Sequence, residues 1–290
     1  MHRRTFLASL LAAPAALAID PIKREGKPNL AASLAAYSYS RYLALGGKMK
    51  PTMTLEDFID QAAKMELKAV ELTAYYFKVT TKDYVSSLRK RCEKHGLAVS
   101  GTAVGNDFCW PDEKKLAEQM GHVKKWVEVS ASLGAKTMRI FAGSVKKGDM
   151  EADAVKRAVD KIEEACEFAA KHKVILALEN HGGITATPEQ LLALVKPIRS
   201  EWFGVNLDTG NFQTPDPYGD LEKCAPYAVT VQLKTEVFPK GKREDADIGK
   251  IAGILRAAGY QGYVALEYEA KEDPRTAVPK HVKELMRHMG

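Results

Sequence analysis

The chain has 290 residues, of which 46% are hydrophobic and 28% charged, a size and composition that suit one soluble globular domain. Its formal net charge is +6, and removing Arg3 and Arg4, which lie in a leader without acids, leaves +4. The remaining charges of both signs are mixed along predicted helices, which excludes a basic nucleic-acid-binding face, so we expect no nucleic-acid partner.

The first 18 residues, MHRRTFLASLLAAPAALA, resemble a twin-arginine export signal. Paired arginines precede an apolar run, and Ala16-Leu17-Ala18 offers a small-x-small cleavage site. The apolar run is too short to cross a bilayer, so we expect no stable membrane insertion. An ordinary secretory signal that carries two arginines is the alternative. We predict cleavage after 1–18, a periplasmic location, a lead-in at 19–29 and a catalytic domain at 30–290.

Strand-like and helix-like segments alternate along the rest of the chain. Apolar runs predict eight strands, at 30–37, 68–72, 97–104, 137–141, 174–178, 203–207, 228–233 and 263–266. Amphipathic segments predict helices that begin near Thr54, span 82–95, 112–133 and 152–172, begin after Thr187, lie near 221–225, and span 248–258 and 279–289. Threonine is a good N-cap, and Pro188 suits the first position of the helix that follows Thr187.

Strict alternation over eight units predicts a parallel sheet with helices outside it, and eight such units can close into a (β/α)8 TIM barrel. An open doubly wound sheet is the alternative, but no Gly-x-Gly-x-x-Gly loop follows the first predicted strand. We therefore predict a single TIM-barrel domain. No two cysteines form a CxxC pair, and we expect four free thiols, at Cys92, Cys109, Cys166 and Cys224.

Acidic or amide side chains stand at the ends of the last four predicted strands: Glu179, Asp208, Gln232 and Glu267. The carboxyl ends of barrel strands meet at one mouth, where active sites form. Three carboxylates and an amide gathered there are unfavourable unless a positive charge lies between them. Oxygen donors favour Mn²⁺, then Mg²⁺ or Co²⁺, over Zn²⁺. We predict one divalent metal ion bound by these four side chains; the alternative is that the acids cap helices or pair with lysines.

Four short motifs surround these residues: Leu-Glu-Asn at 178–180, Asn-Leu-Asp-Thr-Gly-Asn at 206–211, Val-Gln-Leu-Lys at 231–234 and Leu-Glu at 266–267. With them the chain resembles the xylose isomerase-like TIM-barrel superfamily, the sugar phosphate isomerases/epimerases, over essentially all of its mature length. The resemblance implies that Glu179, Asp208 and Glu267 bind the metal and that Glu179 and Glu267 exchange protons with a sugar. Gln232 stands where many members have histidine, and its amide oxygen can still coordinate a metal.

The resemblance implies a metal-dependent isomerase or epimerase that acts on a small-molecule carbohydrate, a sugar or keto-sugar, by proton transfer through a metal-bound enediolate. A leaving group next to the carbanion would instead make the site a lyase or dehydratase, for example on a 3-keto-glycoside. A non-catalytic carbohydrate-binding barrel is a third hypothesis. The DNA-repair branch of this superfamily, the endonuclease IV type, uses a zinc cluster rich in histidines. Three residues after Asp208 this chain has Asn211 and not a histidine, which argues against that branch. Homo-oligomerisation stays open.

Six further side chains are predicted to bind substrate: His181, Lys234, Arg139, Glu71, Asn106 and Trp110. His181 and Lys234 each follow a predicted ligand by two positions, so each shares that ligand's side of the strand. Arg139 lies inside a strand, where an arginine needs an anionic partner. The alternative roles are structural: Glu71 could pair with Lys234 or Arg139, and Trp110 could pack within its loop.

Overall fold

The eight predicted strands form a closed parallel barrel, which confirms the fold predicted from their alternation with helices. The computed structural model describes residues 19–45 and 50–289, so the predicted export signal lies outside the described residues. The barrel strands are β1 Asn29–Ala35, β2 Ala69–Thr73, β3 Ala98–Ala103, β4 Thr137–Ile140, β5 Ile175–Glu179, β6 Phe203–Asp208, β7 Ala228–Leu233 and β10 Gln261–Leu266. Each strand pairs in parallel with its neighbours, and β1 closes the barrel against β10.

Helices follow the strands along the chain: α1 Ser40–Leu43, α2 Leu55–Lys64, α3 Lys82–Lys94, α4 Glu113–Leu133, α5 Glu151–His172, α6 Pro188–Val195, α7 Pro217–Cys224, α8 Ile248–Ala257 and α9 Pro274–Arg287. Thr54 caps α2 in a capping box with Asp57, and Thr187 accepts a hydrogen bond from the Gln190 N–H, so both predicted N-caps are confirmed. These caps fix where the chain leaves each loop and begins to cover the barrel.

Two helix starts differ from the sequence-based prediction. α9 was expected at 279–289, but it begins at Pro274, where Asp273 accepts the Arg275 N–H, and it carries Pro279 inside it. The predicted helix near 221–225 likewise begins earlier, at Pro217, behind the Asp216 cap. In both cases an Asp-Pro pair supplies the N-cap and a proline at the first helical position, a combination that starts a helix efficiently.

A short antiparallel hairpin was not predicted. β8 (Glu236–Val237) pairs with β9 (Glu244–Asp245) in the loop between β7 and α8. Two-residue strands are too short to show an alternation of apolar and polar residues, so sequence periodicity cannot detect them. The hairpin matters because it begins two residues after Lys234, at the carboxyl end of β7.

The helices that alternate with the strands pack their apolar faces against the barrel and form the core with it. α5 shows the pattern, since Ala154, Ala158, Ile162, Ala165 and Ala169 recur at spacings of three and four and are all buried. The four cysteines are free and buried in the same core. Within residues 19–45 and 50–289, no helix combines the length and the apolar character needed to span a bilayer.

Two glycines, the buried Gly204 and the exposed Gly253, give stability predictions of opposite sign. In β6, a Cβ at Gly204 would lie 2.4 Å from Val229 Cγ1 and 3.1 Å from the Tyr227 carbonyl oxygen. Gly204→Ala is therefore expected to lower the free energy of unfolding by about 1–3 kcal/mol. In α8, a Cβ at Gly253 meets nothing within 4 Å, so Gly253→Ala is expected to stabilise by about 0.5–1 kcal/mol. Urea denaturation of both variants measures this, and equal effects would contradict the packing argument.

Candidate active site at the barrel mouth

The four predicted metal ligands lie at one end of the barrel. Glu179 ends β5, Asp208 ends β6, Gln232 lies one residue before the end of β7, and Glu267 directly follows β10. The strand register sets Asp208 opposite Gln232, and Gln232 opposite Ala265. All four side chains are buried. Parallel pairing thus gathers at one mouth residues that are nearly 90 positions apart in the chain.

An amide network joins these side chains. Asn206 Nδ2 donates to Gln232 Oε1 at 2.5 Å and to Glu179 Oε2 at 3.3 Å. Gln232 Nε2 donates to Glu71 Oε1 at 2.7 Å and to Glu267 Oε1 at 3.4 Å. Gln232 therefore bridges three carboxylates, two of them through its own donor and one through Asn206. The network fixes the glutamine amide because each of its polar atoms has a partner.

Arg139 is the first of two buried cations that the described part of the chain places at the mouth. Its Nε lies 3.0 Å from Glu179 Oε2, and its guanidinium carbon lies 4.0 Å from the centre of the Phe141 ring. The Nε–H makes no hydrogen bond, so the contact with Glu179 is an ion pair without directed donation. A second nitrogen, Nη1, donates to the Val104 carbonyl at 3.3 Å. The anionic partner that a strand arginine requires is thus Glu179.

Lys234 is the second buried cation, and it contacts three acids. Its Nζ lies 2.5 Å from Glu267 Oε2, 2.5 Å from Glu269 Oε2 and 3.4 Å from Asp208 Oδ2. Its backbone N–H donates to Thr209 Oγ1 at 2.9 Å, which holds the end of β7 against β6. Burial alone would lower the pKa of Lys234, but Asp208, Glu267 and Glu269 outweigh burial and raise it. The lysine therefore carries a positive charge at the mouth.

Three buried carboxyls have raised pKa values. Burial raises the pKa of Glu71 to about 7, and the neighbouring Glu267 adds to the rise. Burial also raises the pKa of Asp208 to about 7, against the opposing effect of Lys234. Burial likewise raises the pKa of Glu179 well above its usual range, against Arg139. Loss of hydration is the dominant cause in each case, because a carboxylate without water is costly unless it is fully paired.

These shifts predict how stability depends on pH. Between an unfolded pKa near 4 and a folded pKa of about 7, Glu71 and Asp208 keep protons in the folded state that the unfolded chain releases. The stability that these two carboxyl groups contribute to the folded state is therefore fully present below about pH 4 and is lost as the pH rises through about 7. We expect a higher urea midpoint for the chelator-treated protein at about pH 5 than at about pH 8, and a smaller difference in Glu71→Gln. A midpoint that rises with pH would contradict this prediction.

The mouth encloses a cavity of about 180 Å³, and five of the predicted site residues line it: Arg139, Glu179, His181, Lys234 and Glu267. Asp208 and Gln232 are buried and do not line this cavity. The aromatic rings of Tyr37, Tyr75 and Phe141 also line it. The His181 ring packs on Phe141 with ring centres 4.2 Å apart. A cavity lined by both polar groups and aromatic rings suits a sugar ring, which presents both hydroxyl groups and apolar C–H faces.

Three other predicted substrate-binding residues do not line this cavity. Glu71 is buried and accepts a hydrogen bond from Gln232. The Asn106 side chain bonds both backbone groups of Phe141, donating to its carbonyl at 2.7 Å and accepting from its N–H at 2.9 Å. Trp110 lies between the ammonium groups of Lys115 and Lys146, at 4.0 and 4.3 Å from the ring centre. The structure therefore gives Asn106 the position of a support for Phe141, and Trp110 that of a loop-packing residue.

The sequence reasoning missed Asn206, Phe141 and Glu269. Each lies two positions from a residue that was singled out, since Asn206 precedes Asp208, Phe141 follows Arg139, and Glu269 follows Glu267. A spacing of two puts side chains on the same side of a strand, the rule that identified His181 and Lys234. Applied to every strand end, the same rule would have found them. Tyr75 carries no such signal, because it lies in a 3-10 turn after β2.

The predicted divalent ion can be judged from the donors present. Among the described residues, four buried carboxylates (Glu71, Glu179, Asp208, Glu267) and the partly exposed Glu269 face two buried cations (Arg139, Lys234), so full ionisation leaves three negative charges, an excess that one divalent cation would reduce. Asp208 Oδ2 is buried without a hydrogen-bond partner, and every donor offers oxygen. Among residues 19–45 and 50–289, no three His, Cys, Asp or Glu side chains already surround a single point. The residues fit a divalent ion in donor type and charge. Two of the proposed ligands, Asp208 and Glu267, are in contact with Lys234.

Comparisons with known proteins agree with the fold. The sequence model of the family described as "Xylose isomerase-like TIM barrel" matches residues 59–289. A xylose isomerase domain protein from Planctomyces limnophilus has 15% identity and a TM-score of 0.68, covering 91% of this chain and 98% of its own. D-psicose 3-epimerase from Clostridium cellulolyticum H10 has 14% identity and a TM-score of 0.70, covering 87% and 89%.

A third similar structure is 3-keto-D-glucoside 4-epimerase from E. coli, with 15% identity and a TM-score of 0.67, covering 90% of this chain and 100% of its own. No curated protein matches the sequence at a significant level. At these identities the structural likenesses show a shared fold, whereas the sequence model, which spans most of the chain, identifies a family.

Proposed function

Because the chain belongs to the xylose isomerase-like TIM-barrel family, we propose that its mouth is the active site of a divalent-metal-dependent sugar isomerase or epimerase. The proposed reaction moves a proton on a carbon next to a carbonyl group of a sugar or keto-sugar. The observation that carries the proposal is the placement of Glu179 and Glu267, from two different strands, on one cavity of about 180 Å³. Two carboxyl groups on one small cavity can remove a proton and return one.

The raised pKa of Glu179 suits acid–base work. A carboxyl group transfers protons efficiently when its pKa lies near the working pH, and burial moves Glu179 in that direction. Arg139 holds the Glu179 carboxylate from one side, and Asn211 Nδ2 donates to its Oε1 at 3.0 Å. These contacts fix the direction in which the carboxyl group points. Removal of a proton on one side of the substrate and its return on the other then gives epimerisation.

Other side chains on the cavity bind and orient the sugar in this proposal. Burial, with Arg139 as a second cause, lowers the pKa of His181, so its ring is neutral and can accept or donate one hydrogen bond to a hydroxyl group. Lys234 places a positive charge where the substrate oxygen becomes more negative as the proton leaves. Tyr37, Tyr75 and Phe141 also line the cavity and would shield the carbon that reacts from water.

The metal ion would be held by Glu179, Asp208, Gln232 and Glu267. Bound there, it would act as a Lewis acid that polarises a carbonyl oxygen and makes the neighbouring C–H more acidic. The all-oxygen donor set favours Mn²⁺, with Mg²⁺ or Co²⁺ next and Zn²⁺ less suited. The named activities of the similar structures, a 3-epimerase of psicose and a 4-epimerase of a keto-glucoside, make keto-sugars the first substrates to test.

We further propose that the protein is exported by the twin-arginine pathway after folding and acts in the periplasm on sugars without phosphate. The support is the paired arginines and the Ala16-Leu17-Ala18 cleavage site. The mass of the intact protein recovered from the periplasm is expected to correspond to a chain that begins near Ile19. A mass that includes residues 1–18 would contradict cleavage.

Metal content tests the centre of the proposal. Wild-type protein loaded with Mn²⁺ and freed of excess is expected to retain about one ion per chain, and Asp208→Ala is expected to retain less than a tenth of that, because the aspartate supplies a buried charged donor. Elemental mass spectrometry measures both, with the exposed Asp160→Ala as the matched control. Equal retention by wild type and Asp208→Ala would contradict the assignment of the site.

A substrate screen in D2O tests the reaction. Keto-sugars and keto-glycosides incubated with the loaded enzyme are expected to take up deuterium at the carbon that exchanges its proton, and mass spectrometry detects the gain. An isomer with no other change in mass identifies an isomerase or epimerase. Release of water or an aglycone would instead identify the lyase alternative, which uses the same proton removal. Binding without exchange on any sugar would favour a non-catalytic barrel.

A further inference from the structure

The contacts of Lys234 divide its three acidic partners into two kinds. Asp208 and Glu267 are proposed metal ligands and are buried. Glu269 is not a proposed ligand, and 44% of its side chain is exposed. One ammonium group therefore joins the inner acids of the metal site to an acid on its rim. In the sequence Glu269 follows Glu267 by two positions, in the loop between the last barrel strand and α9.

The stem of Lys234 is fixed while its ammonium group has a choice of partners. The backbone N–H is bonded to Thr209 Oγ1. A Cβ at Gly210 would lie 2.6 Å from Lys234 Cγ, so the glycine leaves just enough room for the stem. Only 10% of the lysine side chain is exposed. The ammonium group can therefore change its distance to each acid only by small rotations about its last bonds.

A divalent ion held by the proposed ligands and this ammonium group would compete for the same two carboxylates. Lys234 Nζ lies 2.5 Å from Glu267 Oε2 and 3.4 Å from Asp208 Oδ2. Asp208 Oδ2 has no hydrogen bond that would hold it to another partner. Two cations on one pair of carboxylates repel each other strongly in a buried site. When a metal ion binds, we therefore expect the ammonium group to move away from Asp208 and Glu267, and Glu269 is the remaining acid in contact with it among the described residues.

We propose that Lys234 is an internal counter-ion that competes with the metal, and that Glu269 is a positioning residue that sets metal affinity by receiving the displaced ammonium group. This inference rests on the proposed function, since it assumes a metal at these ligands. Without metal, Lys234 pairs with Asp208 and Glu267, offsets part of their negative charge and stabilises the barrel. With metal, the Lys234–Glu269 pair keeps the lysine charge away from the ion.

A double-mutant cycle on the full mature chain tests the proposal. The variants are Lys234→Met, Glu269→Gln and the double variant, and the probe is Mn²⁺ alone, titrated by calorimetry into chelator-treated protein at one pH and one ionic strength. Lys234→Met is expected to bind Mn²⁺ at least about tenfold more tightly, because a competing charge is gone. Glu269→Gln is expected to bind about three- to tenfold more weakly, because the displaced ammonium group loses its partner.

The double variant separates an effect through Lys234 from a direct effect of the Glu269 charge on the metal. If Glu269 acts through the lysine, the Glu269→Gln change is expected to alter the dissociation constant less than about twofold in the Lys234→Met background. A direct effect would be the same in both backgrounds, and that result would overturn the proposal. Weaker or unchanged binding by Lys234→Met would overturn it as well.

Thermal unfolding gives a readout that does not depend on metal binding. Without metal, Lys234→Met is expected to melt below wild type, because Asp208 and Glu267 lose their counter-ion, and Mn²⁺ is expected to raise its midpoint by more than that of wild type. Glu269 is partly exposed, so Glu269→Gln folds and remains informative if Lys234→Met does not. Failure of every variant and of wild type to bind Mn²⁺ would overturn metal dependence itself. Binding by wild type with additive effects would overturn only the role of Lys234 and Glu269.

Discussion

Glu267→Gln is expected to slow proton exchange about 10²–10⁴-fold while the barrel stays folded. The amide has the shape of the carboxyl group but cannot take up or release a proton at neutral pH. Lys234, which loses this partner, keeps Asp208 and Glu269. The measurement is the rate of deuterium uptake by the sugar found in the screen, together with the unfolding midpoint and the metal content of the variant.

Glu179→Gln is expected to lose exchange to the same extent and some stability as well, because Arg139 loses its carboxylate partner. It is therefore assayed well below its unfolding temperature. The exposed Glu222→Gln is the matched control and is expected to retain the wild-type rate. If either active-site variant keeps the wild-type rate with unchanged metal content, that carboxyl group does not transfer the proton.

Arg139→Met is expected to lower the free energy of unfolding by about 3–5 kcal/mol, because it leaves Glu179 buried without its cation. The combined Arg139→Met/Glu179→Gln variant is expected to recover much of this loss, since no unpaired charge remains in the apolar surroundings. Urea denaturation of chelator-treated protein measures the free energy of unfolding of each variant. The loss in the combined variant is expected to be smaller than the sum of the losses from Arg139→Met and Glu179→Gln alone.

The matched control is Arg89→Met, which removes an exposed i,i+4 pair with Glu93 on α3. Exposed pairs contribute little because water screens them, so only a small change is expected. A loss from Arg139→Met no larger than that from Arg89→Met would show that the buried pair is not what stabilises the mouth.

The sequence predicted the fold well because the hydrophobic periods of strands and of helices are both visible in it. Eight apolar runs alternate with eight amphipathic segments, and short connections then leave few ways to arrange them. Boundaries were less accurate where turn chemistry decides them, as at Asp273-Pro274, where the helix starts five residues before the predicted position. The β8–β9 hairpin was missed because its strands are two residues long.

The candidate site could be predicted in part. The strand ends identified Glu179, Asp208, Gln232 and Glu267, because a residue at the carboxyl end of a barrel strand faces the mouth whatever the details of packing. Their roles as ligands and proton carriers remain predictions. Asn106 shows where such reasoning stops, since its position after β3 suggested contact with substrate, whereas its side chain binds the backbone of Phe141.

The sequence by itself determined the barrel, the end of the barrel at which acids gather and the oxygen-rich character of the site, because each depends on local periodicity. Only the tertiary structure decided which acid faces which cation. Arg139 pairs with Glu179, whereas Lys234 reaches Asp208, Glu267 and Glu269. These partners lie on different strands, and their distances depend on the register, which shifts between Val70 and Glu71 and between Val205 and Asn206. Charge pairing falls off within a few ångströms, so a register shift too small to alter the fold decides the electrostatics of the site.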